Sequence, residues 1–134
     1  MAREAKLMGT IIPYTVKYVA KILENPLIDY GFPKVSGEPY KVLKFDDRTR
    51  TSWTCTYLPV FGGFDIETTN VKDGDFKRAY AYHMQMSVFT WEGGAVYICR
   101  TWKEVDALFK AFISFYGLSD EIRTVQWIAN AGFE

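Results

Sequence analysis

Apolar side chains recur along this chain at two periods, one typical of helices and one typical of strands. The clearest helical pattern follows Thr101, where the apolar stripe comprises Val105, Leu108, Phe109, Phe112, Ile113 and Tyr116. Thr101 and Glu104 have the spacing of a capping box, and Gly117 is a typical helix stop. The pattern therefore predicts a helix that begins after Thr101 and ends before Gly117.

A second helical pattern lies near the N-terminus. The apolar positions between residues 11 and 23 follow helical spacing, and Pro13 stands near the expected first turn. Residues 25–39 then concentrate Gly, Pro, Asn and Asp, which favour turns. We therefore expect a short amphipathic helix over residues 11–23, followed by an irregular connector.

Strand-like runs occupy most of the remaining chain. Residues 40–45 and 51–57 flank a polar string and predict a hairpin, and an apolar run from Leu58 leads to Glu67. Residues 78–91 and 95–99 predict an antiparallel pair, and residues 123–130 predict a last strand. From Leu58 onward the order is strand, strand, strand, helix, strand. This order predicts a mixed α/β fold in which the strands joined through the helix run parallel.

Composition narrows the class of protein. The 134 residues are 49% hydrophobic, which predicts one folded domain or part of one. Sixteen basic and sixteen acidic residues give a formal net charge of zero, so the chain lacks the overall positive charge typical of nucleic-acid-binding proteins. Any contact with a nucleic acid must therefore be local. Two distant cysteines signal neither a disulfide framework nor a zinc site. Without a signal peptide or a membrane-span pattern in the sequence, we expect a soluble, cytoplasmic protein with no membrane partner.

Asp65 and Glu67 are the candidate catalytic residues of the chain. They lie two apart on a predicted strand, so their side chains share one face, whereas Phe64 and Ile66 point to the other. Carboxylates this close repel each other, and a bound Mg²⁺ or Mn²⁺ relieves the repulsion. Two such ions can activate a water and stabilise the leaving oxygen of a phosphodiester. The alternative is an exposed strand end that carries two solvated acids.

The residues around this pair resemble a known enzyme family. Phe64-Asp65-Ile66-Glu67-Thr68-Thr69, followed at the end of the chain by Asn130-Ala131-Gly132-Phe133-Glu134, is similar to the proofreading 3′-to-5′ exonuclease domain of family B DNA polymerases. The similarity is closest to the protein-primed phage and plasmid type, in which an F-D-x-E-T-T strand precedes an N-x-x-F-D segment. It implies a ribonuclease H-like α/β exonuclease fold, a mixed sheet with flanking helices, that is incomplete on its C-terminal side. Residues 58–134 would form the partial exonuclease domain, and residues 1–57 an N-terminal extension with a helix and a hairpin.

The resemblance implies a catalytic metal site. Asp65 and Glu67 would be the first two metal ligands, with Mg²⁺ or Mn²⁺ as the cofactor. Glu134 stands where the family usually has Asp, which keeps the charge but lengthens the side chain by one methylene. Glu134 is therefore a third candidate catalytic carboxylate, and its geometry is the point at which the chain departs from the family.

The resemblance also implies contacts with a nucleic acid. Thr68, Asn130 and Phe133 would contact the single-stranded 3′ end of DNA, and Phe133 would stack on a base. His83, the only histidine, is a candidate general base, but strand alternation favours a polar residue on the less buried face. The four tryptophans are predicted to lie in the core. Gly62-Gly63 predicts a bulge or a close approach of two backbones.

Taken together, these residues predict a fragment of a phage- or plasmid-encoded DNA polymerase, acting in the host cytoplasm. Its parent would remove 3′-terminal nucleotides by two-metal catalysis, and the fragment alone would be inactive and would work with the rest of the polymerase chain. One alternative is a non-catalytic binding or inhibitory module built on an exonuclease-like fold. Another is a stand-alone nuclease completed by self-association.

Overall fold

One mixed sheet links the N-terminal and C-terminal parts of the chain. The computed structural model describes residues 3–25, 27–73 and 76–128, and for residues 68–73 and 76–82 it describes the backbone only. The sheet of the described residues has seven strands: β1 (Arg3–Leu7), β2 (Thr10–Tyr18), β3 (Tyr40–Asp46), β4 (Thr51–Asp73), β5 (Phe76–Phe89), β6 (Gly94–Cys99) and β7 (Ile122–Ile128). Their order is β1-β2-β6-β5-β4-β3, and β7 also pairs with β4. Together with its two helices this is a mixed α/β fold, as the order of predicted elements indicated.

The helix predicted over residues 11–23 is largely wrong. Strands β1 (Arg3–Leu7) and β2 (Thr10–Tyr18) come first, and only α1 (Val19–Glu24) is helical. The N-terminal half of the predicted helix is rich in β-branched residues, which fit a strand well. Strand pairing also stabilises β2, because β2 lies between β1, which is antiparallel to it, and β6, which is parallel to it.

The predicted hairpin is confirmed. Strand β3 (Tyr40–Asp46) pairs antiparallel with the first part of β4 (Thr51–Asp73), and Arg50, the last residue of the turn between them, has a positive φ of 54°. Residues 27–39 form the expected irregular connector. Strand β4 is 23 residues long and continues across residue 57, the last residue of the N-terminal extension that the resemblance implies. The hairpin and the strand that carries Asp65 are therefore parts of one element.

The second half of the chain follows the predicted order. Strands β5 (Phe76–Phe89) and β6 (Gly94–Cys99) pair antiparallel, as expected. Helix α2 (Trp102–Tyr116) follows, and β7 (Ile122–Ile128) then returns parallel to β4. The Thr101 hydroxyl accepts a hydrogen bond from the Glu104 backbone N–H and donates one to the Glu104 carboxylate at 2.8 Å. Gly117 closes the helix in the left-handed conformation, so both predicted ends of α2 are confirmed.

One face of the sheet carries the core. Leu108 and Phe112 of α2 pack against Met84, Met86 and Tyr97, and Val19 of α1 joins the same cluster. The connector adds aromatic side chains to this layer, because the Phe32 ring lies 5.1 Å from that of Tyr97 and 5.8 Å from that of Phe112. Both helices contribute to this one core, and neither helix of the described residues has the length and apolar character of a membrane span.

Candidate metal and nucleic-acid site on strand β4

Strand alternation separates the carboxylates of β4 from its apolar side chains. Phe64 and Ile66 pack against the core, and the Phe64 ring meets that of Phe109 edge-on at 5.2 Å. Asp65 and Glu67 therefore project from the opposite face, where Asp65 is partly buried and Glu67 is exposed. This is the arrangement that the two-residue spacing predicted. We call this second face of the sheet the open face.

Asp65 makes few polar contacts with the other residues that the structure describes. Its Oδ1 accepts a hydrogen bond from the backbone N–H of Ile66 at 2.9 Å. Among the residues that the structure describes, Asp65 forms no ion pair. The carboxylate is thus held by a local backbone contact and keeps capacity to accept from, or ligate, a further group.

Strand β5 places two more polar side chains beside the acids. Gln85 lies directly opposite Asp65, and His83 lies directly opposite Glu67 in the antiparallel register. The His83 Nε2 and the Gln85 Oε1 are 3.4 Å apart. His83 is half-buried and Gln85 is exposed. Met84 and Met86, which alternate with them along β5, are buried on the other face. The prediction that His83 occupies the less buried face is confirmed.

Strand β7 adds an aromatic side chain to the open face. Trp127 is paired with Gly63 in the parallel register. Because Asp65 follows Gly63 by two residues on β4, the Trp127 side chain projects from the same face of the sheet as Asp65. Its side chain is 75% exposed. The prediction that the tryptophans are core residues is wrong, since all four are at least 42% exposed. Sequence reasoning had no means to find Trp127, because strand register is decided by long-range pairing.

The two glycines predicted to allow a close approach do so. A Cβ at Gly62 would collide with the backbone oxygen of Ser87 on β5, and a Cβ at Gly63 would lie 3.1 Å from the backbone oxygen of Trp127. The Gly63 N–H donates to the Ser87 hydroxyl at 2.8 Å. The missing side chains let β5, β4 and β7 come together immediately before Asp65.

The remaining predicted residues are only partly described. Thr68 lies on β4 opposite Ala81, directly after an irregularity at which β5 contributes one extra residue, and its side chain is outside the description. Asn130, Phe133 and Glu134 lie outside the described residues. Ile128, the last described residue, is paired with Phe64, so β7 ends next to the point where β4 reaches Asp65.

The described residues provide two carboxylates and not a complete metal cage. Within residues 3–25, 27–73 and 76–128, no group of three or more His, Cys, Asp or Glu side chains is arranged to hold a metal ion. Two carboxylates suit Mg²⁺ in particular, which commonly binds one or two protein carboxylates and completes its shell with water and phosphate oxygens. The donor set therefore fits an ion that shares its coordination with a phosphate.

Comparison with protein-family models, with curated proteins and with solved structures finds no match to this chain. The side chains of the open face and their chemistry are therefore the features that indicate a function.

Proposed function

We propose that this chain is part of the 3′-to-5′ proofreading exonuclease domain of a phage-type DNA polymerase, with a ribonuclease H-like fold. The observation that carries the proposal is the open face, on which Asp65 and Glu67 stand together beside the exposed ring of Trp127. Paired carboxylates next to an aromatic surface suit a substrate that combines phosphates with bases.

The topology supports the same proposal. Strand β7 runs parallel to β4 and ends beside Phe64, so the second motif, which begins at Asn130, follows two residues after the strand end nearest the acids. The second motif can lie in the same site as Asp65 only if β7 runs parallel to β4, because β7 then ends beside Asp65. An antiparallel β7 would have directed the motif toward the other end of the sheet.

Each described residue has a defined part in this proposal. Asp65 and Glu67 would hold a divalent ion, which when bound polarises the phosphodiester and activates water for hydrolysis. Trp127 would stack on an unpaired base near the 3′ end, and this contact tolerates any base because every base has an aromatic face. Gln85 would offer its amide to a phosphate or sugar oxygen beside Asp65.

Calorimetric titration with Mn²⁺ tests the metal site directly. The wild-type chain should bind Mn²⁺ with measurable heat, and Asp65→Ala should abolish it. Asp47→Ala removes an exposed acid from the turn between β3 and β4 and should leave the binding unchanged. Equal heats for the wild type and Asp65→Ala would show that Asp65 holds no ion.

A second assay examines catalysis. Incubation of the chain with end-labelled single-stranded DNA and Mn²⁺ should give little or no release of terminal nucleotides, because only two carboxylates are brought together in the described residues. Efficient release that Asp65→Ala eliminates would show that the site is complete, either in one chain or after self-association. The molar mass in solution distinguishes these two cases.

Since the described residues bring together only two carboxylates, a second candidate function is a binding module that holds a nucleic acid without cleaving it. This candidate predicts that the chain binds single-stranded DNA equally well with and without divalent ions. The exonuclease proposal predicts that Mn²⁺ tightens the binding and that Asp65→Ala removes the metal effect.

A further inference from the structure

The hairpin that β3 forms with the first part of β4 is more basic than the chain as a whole. Residues 40–57 contain four basic and two acidic residues, whereas the formal net charge of the whole chain is zero. The basic residues are Lys41, Lys44, Arg48 and Arg50. In the described part of the chain, none of these four side chains forms an ion pair. The hairpin therefore presents positive charge that a polyanion can neutralise.

One face of this hairpin carries aromatic side chains together with one of the cations. Tyr40 lies directly opposite Tyr57 and the two rings stack at 5.3 Å, while Trp53 lies directly opposite Lys44. The Lys44 Nζ lies over the Tyr57 ring, 5.5 Å from its centroid. Because Tyr40 and Trp53 are 51% and 42% exposed, this face offers aromatic surface and positive charge to solvent side by side.

Strand β4 extends this face of the hairpin to the open face. Leu58 and Val60 pack against the core, so the residues that alternate with them project from the opposite side of the sheet. Tyr57, Phe61 and Asp65 therefore share the open face and follow one another at intervals of four residues. The aromatic surface of the hairpin and the acids of the candidate site are thus parts of one continuous surface.

A pocket of about 350 Å³ lies on this surface, beside β4 and between the start of β3 and the end of β5. The rings of Tyr40, Phe61 and Trp91 line it, and those of Phe61 and Trp91 are 5.0 Å apart. Ser36 and Glu38 of the connector supply the polar part of the lining. Aromatic walls beside a carboxylate suit an unpaired base, whose amino group donates to the acid, and the volume is within the range of small-ligand sites.

We propose that this surface binds single-stranded DNA and leads it to the acids of the open face. Its aromatic residues, which we call the aromatic track, are Tyr40, Trp53, Tyr57, Phe61 and Trp91. Aromatic side chains interleaved with basic ones are the means by which proteins hold a single strand without reading its sequence. The bases of a duplex are stacked on one another, so the track selects an unpaired strand. The inference rests on the proposed function for its direction, because it assigns the track to nucleotides upstream of the 3′ end held at Asp65 and Glu67.

Fluorescence anisotropy with a labelled oligodeoxythymidylate of about 20 nucleotides, long enough to span an extended site, measures binding to the full chain. Trp53→Ala should weaken the binding about tenfold, the effect of losing one stacked base. Phe45→Ala is the matched control, since Phe45 is 60% exposed on the same hairpin but projects from its other face. This control should leave the affinity unchanged.

The salt dependence of the same binding tests the cation. Lys44→Gln keeps most of the side-chain length and removes the charge, so it should lower the slope of log Kd against log salt concentration by about 0.7, the value for one phosphate contact with a single strand. Lys110→Gln removes the same charge from α2, where Lys110 is paired with Asp106. The slope should not change in this second variant.

Photo-cross-linking tests the direction of the strand. A photoreactive thymidine analogue at the 3′ terminus should label peptides around Asp65, and analogues at successive upstream positions should label residues 40–57, as identified by mass spectrometry. Upstream analogues that label other parts of the chain would overturn the proposal. So would a Trp53→Ala variant that binds DNA as tightly as the wild type.

The variant Asp65→Ala separates this inference from the proposed metal site. The loss of affinity caused by Trp53→Ala should persist in Asp65→Ala and in buffer without divalent ions, because stacking and phosphate contacts at the track need no metal. A persistent loss together with unchanged Mn²⁺ binding in Asp65→Ala would reject the metal site and retain the track. Normal Mn²⁺ binding with no effect of Trp53→Ala on DNA affinity would reject the track alone.

Discussion

Glu67 on β4 lies directly opposite His83 on β5 in the antiparallel sheet. Side chains of such opposite pairs have Cβ atoms about 4.5–5.5 Å apart, close enough for the imidazole to orient the carboxylate. The second member of the proposed ligand pair is thus adjacent to the only histidine of the chain. We therefore predict that His83 positions the Glu67 carboxylate and does not act as a general base.

His83→Ala should weaken Mn²⁺ binding about tenfold, the usual cost of removing a group that orients a metal ligand. His83→Gln can still hydrogen-bond and should recover part of the affinity. Calorimetric titration measures both variants under identical conditions. Unchanged affinity in His83→Ala would show that the two side chains are neighbours without functional coupling.

Trp127→Ala should weaken the binding of single-stranded DNA about tenfold, because stacking on an aromatic side chain contributes about 1–3 kcal/mol per base. Trp102, which is 57% exposed at the start of α2, provides the matched control. Trp102→Ala should leave the affinity unchanged. Fluorescence anisotropy of a labelled oligonucleotide measures both, and an equal loss in the two variants would contradict a specific site at Trp127.

Local signals account for the parts of the fold that the sequence predicts correctly. Helix α2 has its cap, its stripe and its stop within one short segment, and the structure has all three. The helix expected over residues 11–23 fails because its spacing is compatible with either structure, and the deciding pairs join Tyr14 to Gly94 and to Arg3. Such long-range pairing leaves no trace in a local pattern.

In the candidate site, too, local sequence signals predict some features and long-range strand pairing decides the others. The shared face of Asp65 and Glu67 follows from the two-residue period of a strand, and the structure has it. His83 and Trp127 come from other strands, and their approach depends on registers that involve β5 and β7.

Gly62→Ala should lower the free energy of unfolding by at least about 2 kcal/mol, since the new methyl group would meet backbone atoms of Ser87 that cannot move without disturbing β5. Gly93→Ala is the control, because the nearest atom to its Cβ, the backbone oxygen of Pro13, is 3.9 Å away. Urea denaturation measures both variants. Similar midpoints for Gly62→Ala and the wild type would mean that β4 and β5 leave room for a methyl group at position 62.

The stability of the fold should decrease at alkaline pH because of groups buried in the core. Burial, with a smaller effect from Glu104, raises the pKa of the Cys99 thiol to about 12. Burial also raises the pKa of the Tyr116 phenol and, with smaller effects from Tyr116 and Asp29, that of Tyr97. In each case the folded state retains a proton that the unfolded chain loses at lower pH. The stabilisation is therefore complete below the unfolded pKa values and decreases above them.

Between about pH 8.5 and pH 12 the Cys99 proton alone should cost about 1.4 kcal/mol of unfolding free energy per pH unit, and the tyrosines should add to this above about pH 10. Urea unfolding at about pH 8, 9.5 and 11 measures the slope. Cys99→Ala lowers the stability at every pH because it leaves a cavity, but it should flatten the change between about pH 8.5 and pH 10. An identical slope in the variant and the wild type would show that Cys99 ionises as readily in the folded protein as in the unfolded chain.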